Sequence, residues 1–461
     1  MNNADTPQTE VMRENYALNA AVVDAILAAV ELGAKERLSE LLAPLHEADI
    51  ADLLEQISGT ERRALVDLWG GDFDGSVLSE LEEGTRDDVL QEIDDEVLAD
   101  AVAELETDDV VYLVEDLEAE DQARLLDALD DADRVAVEAS LNYGEDTAGR
   151  LMRREVVTAP QHWSVGEAID FMRAEDDLPE AFYELVLIDA RRAPVGQVPL
   201  GRLMAHRREV PLIDLIDEQM TVIPVDQSQD EVAYAFNQYH LISAPVVDDG
   251  GRLIGMITID DAVIVLEEEA EEDMRRLAGV SAEEELSDTI LETTRQRFPW
   301  LGVNLVTAVL ASLVISIFEA TIEAIVALAV LMPIVASMGG NAATQTLTVA
   351  VRALATKDLT AKNAWRVVRR ETLVGLANGL LFAVIIAVVG YVWFGSVMLG
   401  VVLAMAMVVN LVVAGLAGIL IPMGLDRAGA DPALASGAFV TTVTDVVGFF
   451  AFLGLAAWLL I

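Results

Sequence analysis

The chain has 461 residues, of which 79 are acidic and 29 basic, and its formal net charge is −50. A surface this acidic repels phosphates, so a nucleic-acid-binding protein is excluded. The lack of cysteine excludes disulfides, thiolate metal sites and cysteine nucleophiles. Residues 299–461 carry seven acids and seven bases. The net negative charge therefore lies on residues 1–298, and the two parts need separate interpretation.

Residues 1–142 predict an all-α N domain. Residues 1–16 are polar and lack an apolar stretch, so we expect no cleavable signal peptide ahead of the folded part. Further along, apolar residues close short periodic stretches at intervals of 12 residues, and acids that favour helix N-termini precede these stretches. The spacing predicts a superhelix of short stacked helices from about residue 20 to residue 141. The repeated positions are Ile93, Leu105, Leu117, Leu129 and Leu141.

Residues 143–265 contain a longer internal repeat. Each copy is predicted to form a strand, a helix, two strands joined by a hairpin turn, and a final helix. This order resembles a tandem pair of α/β CBS domains, which are regulatory modules. The recurring residues are Pro160, Ser164 and Glu167 in the first copy and Pro224, Ser228 and Glu231 in the second.

The second copy contains a candidate nucleotide site. In CBS domains a Thr or Ser followed three residues later by Asp contacts a nucleotide ribose, and here the pair is Thr258 and Asp261. The resemblance makes ATP a candidate ligand. The same spacing is also typical of a helix cap, which remains the alternative.

A very acidic connector, predicted as a helix over residues 266–297, follows the CBS pair. Two interpretations of its acids are open. They repel one another until a cation bridges them, or they only keep the surface hydrated in a protein adapted to high salt. At molar salt the Debye length falls to about 3 Å, so long-range repulsion between the acids would be screened. Only direct bridging of two acids by a cation would then distinguish the metal-bound from the metal-free protein. The candidate regulatory metal ligands are Asp260, Asp261, Glu269, Glu272 and Asp273.

Residues 298–461 predict an all-α membrane domain, because their long apolar stretches accommodate five spans of roughly 20 residues. The loop between the second and third spans is rich in Arg and Lys, which places it in the cytoplasm. The N-terminal half then lies in the cytoplasm, and the C-terminus lies outside the plasma membrane. The predicted spans are 299–318, 324–350, 373–394, 398–422 and 435–459.

Asp445 is the strongest candidate for an ion site. A carboxylate in the middle of a span costs about 2.5–3.5 kcal/mol to insert, so it usually has a function. Gly437, Thr441 and Gly448 share its helical face, which predicts either a pore lining or a tight helix contact. A protonated Asp445 bonded across helices is the alternative. Amides on other spans are candidate pore-lining or interhelical groups, namely Asn341 and Gln345 on the second span, with Asn304, Asn378 and Asn410 on the others.

Oxygen donors without His or Cys suit a hard cation rather than zinc or copper. Six further segments are informative together: 143–152 (YGEDTAGRLM), 255–261 (GMITIDD), 299–301 (PWL), 338–341 (MGGN), 431–437 (DPALASG) and 441–445 (TTVTD). In order and spacing they resemble the MgtE magnesium transporters. The resemblance implies a homodimer whose pore lies on the two-fold axis, Asp445 of both subunits facing a hydrated Mg²⁺, and a plug helix at about 260–276.

The predicted function is a magnesium-selective channel, gated by intracellular Mg²⁺ on its acidic domains, with Mn²⁺ and Co²⁺ as further candidate ions. One alternative is an antiporter of the cation against Na⁺ or H⁺ that nucleotide binding regulates. Another is a membrane-anchored nucleotide sensor without flux. An enzyme is not predicted, because no nucleophile–base pair or phosphate-binding Gly loop is present.

Overall fold

A computed structural model describes residues 18–103, 105–115, 117, 119–175, 178–179, 182–217, 220–281, 284 and 290–461. The polar N-terminal stretch, on which we expected no signal peptide, lies outside these residues. The chain divides into two compact units, Met1–Glu267 and Glu268–Ile461.

The first unit begins with ten short helices that share one apolar core. Side chains close their N-termini: Ser58 and Glu61 form a capping box, and Asp130 accepts from two backbone amides at 2.7 and 2.9 Å. The helices are α1 (Ala20–Glu31), α2 (Lys35–Leu42), α3 (Glu47–Gln56), α4 (Gly59–Trp69), α5 (Ser76–Ser79), α6 (Glu83–Glu92), α7 (Asp95–Val102), α8 (Thr107–Glu115), α9 (Ala119–Ala128) and α10 (Asp131–Ser140).

The predicted 12-residue repeat is confirmed. Ile93 and Leu141 directly follow α6 and α10, and Ile93, Leu117 and Leu129 are buried in the shared core. Leu105 and Leu141 pack against this core from its edge. The repeat thus marks the residues with which consecutive helices bury their apolar faces on one another.

The tandem CBS pair has the predicted element order. In each copy the first strand pairs parallel with the second, and the second pairs antiparallel with the third. The first copy comprises β1 (Thr158–Pro160), α12 (Val165–Ala174), β2 (Glu184–Ile188), β3 (Pro194–Pro199) and α13 (Leu200–Ala205). The second comprises β4 (Ile223–Pro224), α14 (Gln229–Tyr239), β5 (Ser243–Val247), β6 (Leu253–Thr258) and α15 (Ile259–Ala278), and α11 (Ala148–Leu151) precedes both.

The connector predicted over 266–297 is not one continuous helix. Its helical part belongs to α15, which ends at Ala278 before Gly279 in a positive-φ conformation. The next described helix begins at Ile290, so residues 290–297 belong to the first span. The plug helix expected at about 260–276 corresponds to α15.

Five long helices fill the second unit and confirm the predicted spans. The first begins nine residues before Pro299, so this proline lies inside the helix instead of starting it. The other four spans are longer than predicted, because hydropathy does not register the polar and charged turns at their ends. The helices are α16 (Ile290–Ile317), the short α17 (Glu319–Ala324), α18 (Ala327–Ala355), α19 (Ala364–Phe394), α20 (Val397–Arg427) and α21 (Pro432–Leu459).

Small residues allow the membrane helices to approach closely. Gly375 and Gly379 of α19 lie against the α20 backbone at Leu411 and Val408, where an added Cβ would come within 2.6 and 3.0 Å of backbone atoms. Van der Waals packing of this kind replaces the hydrophobic effect inside a bilayer. The central helix α20 is the most buried of the five.

Candidate functional site

Asp445 lies in the middle of α21 and is half-buried. The neighbouring hydroxyls are satisfied within the helix, since Thr441 Oγ1 donates to the Gly437 carbonyl at 2.8 Å and buried Thr444 donates to the Thr441 carbonyl at 2.9 Å. Within the described part of the chain, no hydrogen bond or ion pair occupies the Asp445 carboxylate. Its oxygens are therefore available to a cation or to water.

Gly448, three residues beyond Asp445, is buried in a helix junction. Asn410 of α20 is fully buried there, and its Nδ2 donates to the Val335 carbonyl of α18 at 2.8 Å. A Cβ added at Gly448 would lie 2.8 Å from that Nδ2, and one added at Gly339 would also collide with the amide. Gly448 thus makes the tight helix contact that its small face predicts.

We expect Gly448→Ala to lower both stability and transport. The new methyl group must displace the Asn410 amide from its bond to Val335, and overpacking of this kind costs about 1–3 kcal/mol. Thermal unfolding in detergent measures the loss of stability. Gly454→Ala is the matched control on α21, because the nearest atom to its Cβ lies at 3.8 Å. Adding Asn410→Ala to Gly448→Ala should restore stability, and a failure to do so would contradict this account of the junction.

The candidate pore-lining amides lie on an exposed polar face of α18. Asn341 and Gln345 are exposed, whereas Gly339, Ala343 and Leu347 are buried against neighbouring helices. The other candidate amides lie apart from this face: Asn410 is in the helix core, and Asn304 and Asn378 are exposed on α16 and α19.

The C-terminal end of α15 contacts the start of α21. Arg276 forms ion pairs with Glu272 of its own helix and with Asp431. Asp431 also caps α21, where its Oδ1 accepts from the Ala433 amide at 2.7 Å. The Leu277 carbonyl lies 3.7 Å from a Cβ built on Gly437.

Asp273, another candidate ligand, lies close enough to the same junction to interact with its charges. Burial raises the pKa of its carboxyl, Asp431 raises it further, and Arg352 opposes them. Sequence reasoning selected Glu272 and Asp273 but missed Arg276 and Asp431. Nothing in the sequence relates positions 155 residues apart.

The N-terminal end of α15 carries the other candidate ligands. Thr258 donates to Asp261 Oδ2 from its backbone amide at 3.3 Å and from Oγ1 at 3.0 Å. In this structure the pair therefore acts as a helix cap. Burial, and next the charge of Asp260, raise the pKa of Asp261 to about 7.

Two acids of α8 lie beside this helix start, and sequence reasoning missed both. Burial, then the charge of Asp261, raises the pKa of Asp108 well above its ordinary value. Burial, Glu106 and Asp260 raise the pKa of Asp109 to about 6. The N domain and the second CBS copy thus bring like charges together, which disfavours ionisation of Asp108, Asp109 and Asp261.

Arginines between the N domain and the CBS pair partly balance these acids. Buried Arg153 pairs with Glu106, and Arg150 pairs with Glu115 at 2.8 Å. Among the described residues, no three His, Asp or Glu side chains come close enough together to hold a metal ion. A cation at this acidic cluster, which we define as Glu106, Asp108, Asp109, Asp260 and Asp261, would therefore have to draw its ligands together.

Comparisons with known proteins identify the family. Residues 332–455 match the MgtE family model, described as a divalent cation transporter, residues 45–146 match the MgtE intracellular N domain, and residues 212–268 match the CBS domain. The magnesium transporter MgtE of Enterococcus faecalis is 34% identical over 321 residues, which cover 70% of this chain and 71% of the relative. The chain belongs to the MgtE family.

Two further MgtE proteins are similar to this chain. The magnesium transporter MgtE of Thermus thermophilus is 34% identical over 331 residues, covering 71% of this chain and 73% of the relative. A crystal structure of the cytosolic domain of the Mg²⁺ channel MgtE in complex with ATP is 28% identical, with a TM-score of 0.49, and covers 53% of this chain and 99% of that one.

Membership of the MgtE family confirms the resemblance recognised in the sequence. It makes the chain a transporter rather than an enzyme. The five long apolar helices make it a membrane protein.

Proposed function

We propose that this MgtE protein is a magnesium-selective channel that Mg²⁺ on its cytoplasmic unit closes. The observation that carries the proposal is the Asp445 carboxylate, half-exposed in the middle of a span and without a partner among the described residues. Such a costly group is retained where it meets an ion path. The relatives are named magnesium transporters, and oxygen ligands suit this ion.

The proposed assembly is a homodimer with Asp445 from both subunits beside the pore. The exposed polar face of α18 supports this assembly, because Asn341 and Gln345 cannot face hydrocarbon without loss of hydrogen bonds. Two carboxylates brought together by symmetry repel each other, and one divalent cation relieves that repulsion. Mg²⁺ sheds its water reluctantly, so the ion would pass largely hydrated.

The proposed gate couples the acidic cluster to the pore helix through α15. This helix has Asp260 and Asp261 in its first turn and Arg276, which pairs with Asp431, near its end. Abundant Mg²⁺ would bridge the acids and hold α15 in one position, and scarce Mg²⁺ would let them repel. Glu269, Glu272 and Asp273 are the proposed further ligands along the same helix.

Flux through purified protein in liposomes tests the proposal. Mg²⁺ uptake should follow the magnesium gradient and voltage alone, fall as Mg²⁺ rises on the cytoplasmic side, and compete with Mn²⁺ and Co²⁺. Dependence on a Na⁺ or H⁺ gradient would favour the antiporter, and absence of flux would favour the nucleotide sensor. ATP titration of wild type and of Thr258→Val tests whether the cap residues also bind nucleotide.

The same proposal gives the orientation. The basic loop between α18 and α19 supports an acidic unit in the cytoplasm and a C-terminus outside the plasma membrane. Accessibility of a single cysteine introduced at Ile461 to an impermeant reagent, on whole cells, tests it.

The raised pKa values predict a pH dependence of local stability. Asp109 and Asp261 bind protons more tightly when folded, so their stabilising effect is complete below about pH 4 and is lost as pH rises through 6 and 7. Without Mg²⁺, we expect faster amide hydrogen exchange in α8 and the first turns of α15 at pH 8 than at pH 5.5, after correction for intrinsic rates. Added Mg²⁺ should remove most of the difference at pH 8.

Asp109→Asn and Asp261→Asn should flatten this pH dependence. Asp24→Asn, at an exposed position of α1, is the matched control and should leave it unchanged. Equal flattening by the control would assign the effect to the general negative charge instead of the acidic cluster.

A further inference from the structure

The first turns of α19 carry an exposed basic rim, which we define as Trp365, Arg366, Arg369 and Arg370. All four side chains are exposed, and Trp365 is 77% exposed. The positions follow the helical repeat, so Trp365 and Arg369 lie one turn apart, as do Arg366 and Arg370. The rim therefore forms one continuous surface around the start of the helix.

The rim lies at the edge of the lipid-facing surface. From Leu373 onward α19 exposes large apolar side chains, including Leu380 and Leu381, while Gly375 and Gly379 pack against α20. Exposed leucines on a span contact hydrocarbon, so the turn before them lies at headgroup depth. An exposed Trp at that depth is typical of the membrane interface, where its ring is apolar and its N–H meets water.

Among the described residues, most arginines of the rim have no carboxylate as a counter-ion. Neither Arg366 nor Arg369 pairs with a carboxylate in the part of the chain that the structure describes. Arg370 Nε lies 4.0 Å from Glu371, a side chain that is only 13% exposed. Asp358 accepts from Thr356 Oγ1 at 2.9 Å. The charge of Arg366 and Arg369 is therefore available to an external anion.

We propose that the rim binds the headgroup phosphate of an anionic phospholipid. Guanidinium groups bind phosphate through paired N–H donors, which three arginines on adjacent turns supply. Clusters of bases next to a span attract anionic lipid electrostatically. A lipid partner is favoured over a soluble anion because the rim continues into the hydrocarbon-facing surface, where acyl chains pack against Leu373 and Leu380.

Native mass spectrometry and thermal unfolding of the full-length protein in neutral detergent test this proposal. Phosphatidylglycerol titrated into the sample should be retained on the protein and should raise its Tm, whereas phosphatidylcholine should do neither to the same extent. The triple variant Arg366→Gln, Arg369→Gln, Arg370→Gln should bind phosphatidylglycerol on the order of 100-fold more weakly. Raising the salt concentration should reduce the difference.

The matched control is Arg191→Gln, Arg192→Gln, Arg207→Gln, which removes the same charge from exposed positions in the CBS pair and should leave lipid binding unchanged. Equal weakening by both triple variants would overturn the proposal, because net charge alone would explain it. Stabilisation by inorganic phosphate that equals that by phosphatidylglycerol would assign the rim to a free anion. A change of Tm or oligomeric state by the rim variant without added lipid would assign it to a protein contact.

Discussion

Asp445→Asn is expected to give a folded protein that no longer selects Mg²⁺. The amide keeps the shape of the side chain and removes a charge that costs about 2.5–3.5 kcal/mol to place in a span, so stability should not fall. Each subunit loses a charge-assisted interaction of about 1.5–3 kcal/mol with the hydrated ion, so flux should fall roughly 100-fold or more. Mg²⁺ uptake in liposomes, with competing divalent ions, measures the effect.

Two variants control this experiment. Asp426→Asn makes the same change at an exposed position near the end of α20 and should leave flux unchanged. Asp445→Glu keeps the charge but narrows the ring of oxygens, so we expect partial transport with an altered ion preference. If Asp445→Asn transported magnesium with unchanged rate and selectivity, Asp445 would be a packing residue and the proposed pore would be wrong.

Removal of residues 1–267 is expected to preserve Mg²⁺ transport but to abolish its shut-off, that is, closure of the channel by cytoplasmic Mg²⁺. This cut follows the boundary between the compact units and removes the acidic cluster. It keeps the ion pair of Arg276 with Asp431 and the contact of Leu277 with Gly437. Magnesium current should then stay within about twofold between low and high cytoplasmic Mg²⁺, because the acidic cluster is gone and Glu269, Glu272 and Asp273 no longer have its carboxylates to share a cation with.

A second truncation separates sensing from stability. Removal of residues 1–278 also takes away Arg276 and Leu277, so the cap residue Asp431 loses its ion-pair partner and α21 should unfold at a lower temperature. If the protein without residues 1–267 were still shut off by cytoplasmic Mg²⁺, the sensor would lie in the membrane unit and the proposed gate would be wrong.

The sequence determined the architecture of this protein because its signals are local. Twenty apolar residues in a row identify a span by length alone, and the five spans follow from that rule. The repeats in the N domain and CBS pair are visible because each unit buries its face on the next. Asp445 stood out for the same reason, since one carboxylate within an apolar stretch needs no partner to be noticed.

The sequence also placed two element ends wrongly. It began the first span at Pro299, whereas α16 begins at Ile290, because hydropathy does not register the polar first turns of a helix. It extended the connector to residue 297, whereas α15 ends before Gly279. Helix ends depend on caps and on packing rather than on composition.

Only the tertiary structure decided which distant side chains meet. It placed Asp108 beside Asp261, Asp109 beside Asp260, Arg276 on Asp431, and Asn410 against Gly448. Each contact joins residues far apart in the chain, where neither periodicity nor spacing carries information. The cost of burying charge depends on this packing, so the pKa of a carboxylate that looks like surface in the sequence rises only because its neighbours in the fold surround it.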